Sequence, residues 1–198
     1  AVPLPREVQW SPVLGVSVSD VNADGFEDVV LSQNFFAMRI EWPRTDAGRG
    51  CVLLGDGRGG FRCLGGNESG VVVLGEGRGG AVADIDRDGR ADWVTTQNGA
   101  PTRVFRGVAP ATGLRVRLKG GSRNPLAIGA TLRLRGAQGL GPAREIHASS
   151  GYGSVDATTK LLGGDARAVW VRWPGGRTTE TPVVPGTAEI EVSEPESR

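Results

Sequence analysis

Asp20-Val-Asn22-Ala-Asp24-Gly25-Phe26-Glu-Asp28 and, 64 residues later, Asp84-Ile-Asp86-Arg-Asp88-Gly89-Arg90-Ala-Asp92 are two copies of one nine-residue pattern. Oxygen-bearing side chains stand at positions one, three, five and nine of each, with glycine at six. Alternate residues of a tight loop can turn inward toward one point, and calcium takes six to eight oxygens at about 2.3–2.6 Å. Glycine supplies the backbone angles for such a turn. Position seven, Phe26 or Arg90, would offer its carbonyl oxygen, which frees its side chain to vary. With no cation, the carboxylates repel one another. The competing reading is a surface turn, since Asp and Gly favour turns anyway; two copies with identical spacing weigh against it. An EF-hand does not fit, because position twelve is Leu31 or Thr95 and not Glu.

The flanks of both loops are apolar: Val16-Ser-Val18 and Val29-Val30-Leu31 around the first, Ala81-Val82-Ala83 and Trp93-Val94 around the second. Each loop is therefore expected between two strands. Residues 15–34 and 79–98 share nine of twenty positions, ending in Gln33-Asn34 and Gln97-Asn98. A repeat of this period fits one four-stranded sheet with its loops, and such units stack as propeller blades or solenoid turns because one sheet cannot bury its own faces.

The composition agrees with an all-β chain. Among 198 residues, 32 glycines and 12 prolines are scattered without collagen-like period, which predicts many short strands and turns. A net charge of +1 with interspersed arginines argues against a nucleic-acid surface. Only Lys119 and Lys160 are lysines. No apolar run is long enough for a membrane-spanning helix. The chain begins without Met or signal peptide, so it is expected to be a fragment or a processed product whose open sheet edges are covered by upstream blades or by self-association.

Between the loops, Cys51-Val-Leu-Leu-Gly55-Asp-Gly57-Arg-Gly59-Gly60-Phe61-Arg-Cys63 reads as a hairpin. Centring its turn on Gly57 sets Cys51 opposite Cys63 and Leu53 opposite Phe61, leaving a disulfide or two buried thiols open. The glycines of this turn do not form a phosphate loop, because no Lys-Ser/Thr follows them. After a linker at Val108–Gly113 the pattern changes. Leu114, Val116 and Leu118 alternate with Arg115, Arg117 and Lys119, and Leu132 and Leu134 with Arg133 and Arg135. This is the period of half-buried strands in an antiparallel sheet. Further strands are expected at 143–148, 168–173 and 187–192, with a turn at Trp173–Arg177. The division is residues 1–108 for the repeat sheets and 109–198 for a small antiparallel β-sandwich or barrel.

Catalytic chemistry is sparse. His147 is the single histidine and lies beside Ser149-Ser150, yet no Gly-x-Ser-x-Gly elbow occurs, and Glu145 is an ordinary same-face neighbour. No zinc ligand set exists. The tryptophans, Trp93 and Trp173 foremost, read as core more than as a sugar platform. Arg115, Arg117, Arg133 and Arg135 read as a solvated face, the other possibility being an anionic-glycan surface.

The paired aspartate loops resemble the FG-GAP (VCBS-type) repeats of β-propellers. Leu114-Arg-Val-Arg-Leu118, Asn124-Pro-Leu-Ala-Ile-Gly-Ala130, Arg144-Glu-Ile-His-Ala148, Ser150-Gly-Tyr-Gly153 and Val171-Arg-Trp-Pro-Gly-Gly176 resemble the ASPIC/UnbV domain. This order of modules is similar to the bacterial relatives of cartilage acidic protein. The resemblance implies an all-β fold: the last blade or two of an FG-GAP-type propeller, then the small β domain. It implies up to two calcium ions, one on Asp20, Asn22, Asp24, the Phe26 carbonyl and Asp28, the other on Asp84, Asp86, Asp88, the Arg90 carbonyl and Asp92. Asn22 replaces the commoner Asp, so the first site is expected to bind calcium more weakly. Gly153-Ser-Val155 also departs from the usual Ser-Gln after Gly-Tyr. The function expected is a secreted, extracellular or periplasmic, calcium-stabilised adhesion or interaction module, more a binder than an enzyme, with upstream blades and an unidentified protein or glycan as partners. The alternative is an accessory or catalytic protein of an enediyne-type biosynthetic pathway. A deep cleft between the two parts lined by convergent polar groups would favour the alternative.

Overall fold

Apolar residues on both sides of each aspartate loop form strands, so each loop closes a hairpin. The computed structural model describes residues 3–196. Strand β1 (Val13–Ser19) pairs antiparallel with β2 (Asp28–Gln33), which continues through β3 (Cys51–Gly55) to β4 (Phe61–Leu64) as a four-stranded meander. After a short helix, Gly66–Ser69, β5 (Glu76–Ala83), β6 (Asp92–Asn98) and β7 (Ala100–Phe105) repeat the meander with three strands. Ser19 faces Asp28 and Ala83 faces Asp92 across the two loops, so the loops are equivalent in register.

The two sheets pack with β1 beside β5. Close approach is possible because Gly15 lacks a Cβ, which would lie 2.7 Å from the Arg78 carbonyl oxygen. Val30, Val52, Val82 and Trp93 fill the space between the sheets. The other face of the first sheet, Leu31, Cys51 and Leu53, is covered by Val8 from the 3-10 turn Arg6–Trp10. Asn34, fully buried just after β2, donates from its side chain to Gly48 O and Gly75 O and accepts from Ser11 Oγ, whereas its counterpart Asn98 is exposed and donates to Glu76.

The hairpin of Cys51 and Cys63 corrects the expected register. Leu53 faces Cys63 and Gly55 faces Phe61. The turn is centred one residue later because the Asp56 carboxylate accepts the amides of Arg58 and Gly60, closing the loop around that side chain. The cysteines are therefore diagonal, with Cα atoms 6.5 Å apart, and are joined as a disulfide.

Beyond the linker, β8 (Leu114–Lys119) pairs antiparallel with β12 (Lys160–Leu162) and parallel with β15 (Glu189–Ser193). A second sheet runs β10 (Gly139–Leu140), β9 (Thr131–Gly136), β13 (Ala168–Arg172), β14 (Thr178–Pro182), with β11 (Arg144–Glu145) also on β9. The two sheets share one core, in which Val116, Leu132, Ile146, Val169, Val171 and Trp173 are almost wholly buried. It is a two-sheet arrangement with no closed barrel among the described residues. Three local expectations change. The strand foreseen over 143–148 is only two residues long, β12 was missed because three residues carry no period, and the last strand joins in parallel. The turn at Trp173–Arg177 is present, closed by the Trp173 amide on Arg177 O.

Candidate metal and docking site

Both aspartate loops fold in the same way, and their own backbone amides explain it. Position one accepts the amides of positions five and six: Asp20 from Asp24 and Gly25, Asp84 from Asp88 and Gly89. Position five accepts the amide of position seven, Phe26 or Arg90. The chain takes left-handed angles at positions four and six, φ 59° and 92° at Ala23 and Gly25, 62° and 82° at Arg87 and Gly89. Non-glycine residues adopt such angles seldom, so Ala23 and Arg87 are held there by the surrounding hydrogen bonds. Position nine staples the loop to the neighbouring hairpin: Asp28 accepts Val21 N and Gly55 N, and Asp92 accepts Ile85 N and Gly107 N. Spacing alone did not show that role.

The donor sets differ. Carboxylate oxygens of Asp84, Asp86 and Asp88 all lie within 4.8 Å of one another, so this group could hold a metal ion. Two oxygens on opposite sides of a calcium ion are about 5 Å apart, so the donors fit a hard cation. Each of the three also meets an arginine: Asp84 meets Arg115, Asp86 meets Arg106 and Asp88 meets Arg90. In the first loop Asn22 donates to Asp24 Oδ2, and Arg144 stands 3.9 Å from Asp20. Burial raises the Asp20 and Asp28 carboxyls above their ordinary value, Asp28 to about 6, against the lowering effect of their amide donors.

Both loops are also docking points for the C-terminal sheets. The Gly163 amide donates to Asp20 Oδ2, and a Cβ on Gly163 would collide with Asp20 and Ala23. Arg144 binds Glu27 at 2.5 Å and the Leu161 carbonyl. At the second loop the Gly113 amide reaches Gly89 O, while Arg115, about one-tenth exposed, joins Asp84 to Glu189. Arg115 is thus not on a solvated face. Arg117, exposed, pairs with Glu191 and Arg135, partly exposed, with Glu180, while Arg133 donates to Gly141 O.

A third contact lies along the free edges of β1 and β5. Ser154 Oγ accepts Gly80 N, Asp156 Oδ1 accepts Val82 N, Ala157 N donates to Val82 O, and Gly151 bridges Gly15. Of the open edges, those of β1 and β5 are therefore met by Gly151–Ala157. This segment contains part of the Ser150-Gly-Tyr-Gly153 motif and leads into the C-terminal core. Residues 120–198 match the ASPIC and UnbV family model. None of the curated proteins matches the chain. The ASPIC/UnbV region thus supplies Gly163, Arg144, Ser154 and Asp156 to the interface, a role that sequence reading did not assign to them. The paired glycines Gly163-Gly164 after an apolar strand were the one available signal of a close backbone approach.

A cleft of about 460 Å³ separates β1 and β5 from the ASPIC/UnbV region. It is lined by Val16, Val18, Glu27, His147, Asp156 and Lys160, among others. His147 and Ser149 both reach it without meeting as an acid-base pair. His147 Nδ1 is 3.7 Å from Glu145, and Ser149 Oγ donates to Gly151 O. Trp93 and Trp173 are core, whereas Trp10 and Trp42 are about half exposed. No described helix is long and apolar enough to cross a membrane.

Proposed function

We propose that this chain is the end of an FG-GAP-type β-propeller with a docked ASPIC/UnbV region, and that it acts as a secreted, calcium-stabilised interaction module. The observation that carries the reading is the group Asp84, Asp86 and Asp88, set in a loop whose backbone recurs at Asp20–Asp28. Calcium bound there would supply a fixed positive charge between strands. The residues of the chain do the rest: position one and position nine hold the loop, and Arg115 and Arg144 tie it to the C-terminal sheets. Side-by-side packing of β1 and β5 and the successive meanders support the propeller reading. The disulfide supports an oxidising, extracellular or periplasmic compartment. The partner proposed is a protein or glycan on the exposed sheet faces.

Calorimetric titration tests the metal. Asp88→Ala should remove one calcium site, and calcium in excess should raise the melting temperature of the unaltered chain. Melting curves that coincide in calcium and in chelator would sink the metal reading. The alternative, an accessory or catalytic role in a biosynthetic pathway, is favoured by one feature, the polar cleft beside Lys160.

A further inference from the structure

Lys160 is one of two lysines in the chain and the only one in the cleft. It projects from the short strand β12, while Lys119 is exposed. Among the described residues it forms no ion pair and no hydrogen bond, although Asp156 and Glu27 share the cleft with it. Burial lowers the pKa of its ammonium below the usual lysine range, with Arg144 acting in the same sense and the charges of Asp156 and Glu27 opposing it. Glu27 is half used: its Oε1 holds Arg144, and its Oε2 is buried without a partner. Asp156 spends Oδ1 on the Val82 amide. Lys160 and these two acids thus line one cleft, and no direct ion pair or hydrogen bond joins the lysine to either.

The rest of the lining defines what could match both. Four acids, Glu27, Asp84, Glu145 and Asp156, face Arg144, Lys160 and the His147 imidazole, so the cleft disfavours a simple anion. Val16 and Val18, about half exposed on β1, form an apolar wall with Val82 and Leu161. A volume of about 460 Å³ is in the range of small-molecule sites. An unpaired buried polar group costs free energy until a ligand satisfies it.

We propose that this cleft binds a small zwitterion, an α-amino acid with an apolar side chain. Its carboxylate lies on Lys160, its ammonium on Asp156 Oδ2, and its side chain on Val16 and Val18.

L-leucine is the probe, titrated calorimetrically into the intact chain. It should bind, while 4-methylpentanoate, lacking the amine, and 3-methylbutylamine, lacking the carboxylate, should each bind at least about tenfold more weakly. Lys160→Met should abolish leucine binding and leave the calcium response intact. Should that variant not fold, acetylation of the unaltered chain gives the same information: leucine should protect Lys160 and leave the modification of Lys119 unchanged. Absence of binding at millimolar leucine by a protein that still melts cooperatively overturns the proposal. So does equal binding of either single-charge analogue, or acetylation of Lys160 that leucine does not slow.

Discussion

The two aspartate loops share one backbone and differ in how their charge is balanced. Asp84, Asp86 and Asp88 stand against three arginines, one of them from the C-terminal sheets. Asp20 and Asp24 have Asn22 between them and Arg144 only at 3.9 Å from Asp20. Yet the left-handed residues, the amide bonds to position one and the staple at position nine are the same. The fold of the loop is therefore set by its glycine and its self-accepting aspartates, and the remaining carboxylates decide what cation it wants. The second loop has more ligand charge and also more internal competition for it.

The strongest way to break this comparison is at the buried arginine. Arg115→Met leaves Asp84 and Glu189 without their partner, and breaking a buried pair costs about 3–5 kcal/mol. Denaturant unfolding in chelator should show that loss. Calcium should recover part of it, because the variant frees an Asp84 oxygen; a loss unchanged by calcium would mean that Arg115 and a cation do not compete. Next in size is Gly163→Ala, whose methyl would collide with Asp20 and the Ala23 backbone. A loss of about 2–3 kcal/mol is expected, in the range of overpacked sites. Gly113→Ala at the second loop, where the nearest atom is 3.2 Å away, should cost about 1 kcal/mol. Similar values for the two would show that the loops are docked equally tightly.

Asn22→Asp adds the missing charge to the first loop. Its calcium affinity should rise about tenfold, or about 1.4 kcal/mol, as read by calorimetry. An unchanged affinity would mean that position three does not reach the ion. The last effect concerns protons. Burial raises Asp28 to about 6 in the folded chain, whereas an unfolded aspartate titrates near 4. Between those values only the folded form holds the proton, so in chelator stability falls as pH rises through this window and stays reduced above it. The Asp28 carboxyl carbon should titrate near pH 6 by NMR, and calcium should move that midpoint down. A midpoint near 4 in chelator would remove the difference.

The loops were legible because a period of two within nine residues and a repeat at 64 leave few other readings. The hairpin was half legible: its strands are plain, but the Asp56 carboxylate moved the turn, and a one-residue move of the centre changes every facing pair. The docking residues were illegible for a different reason. Arg115 looks like Arg117 in sequence, and only a partner 31 residues away makes it buried. Arg144 and Glu27 lie 117 residues apart, and nothing local to either announces the other. Lys160 sits in a strand too short to carry a pattern.

The caps on β5 have a consequence in time. Gly80 and Val82 wait for Ser154 and Asp156, each 74 residues further along the chain. At a synthesis rate of about 5–20 residues per second, the gap is roughly 4–15 s. Throughout that interval the nascent repeat presents bare strand edges. Partial products ending before Ser154 should therefore be the aggregating species during expression, and slowing translation after Phe105 should enlarge their share.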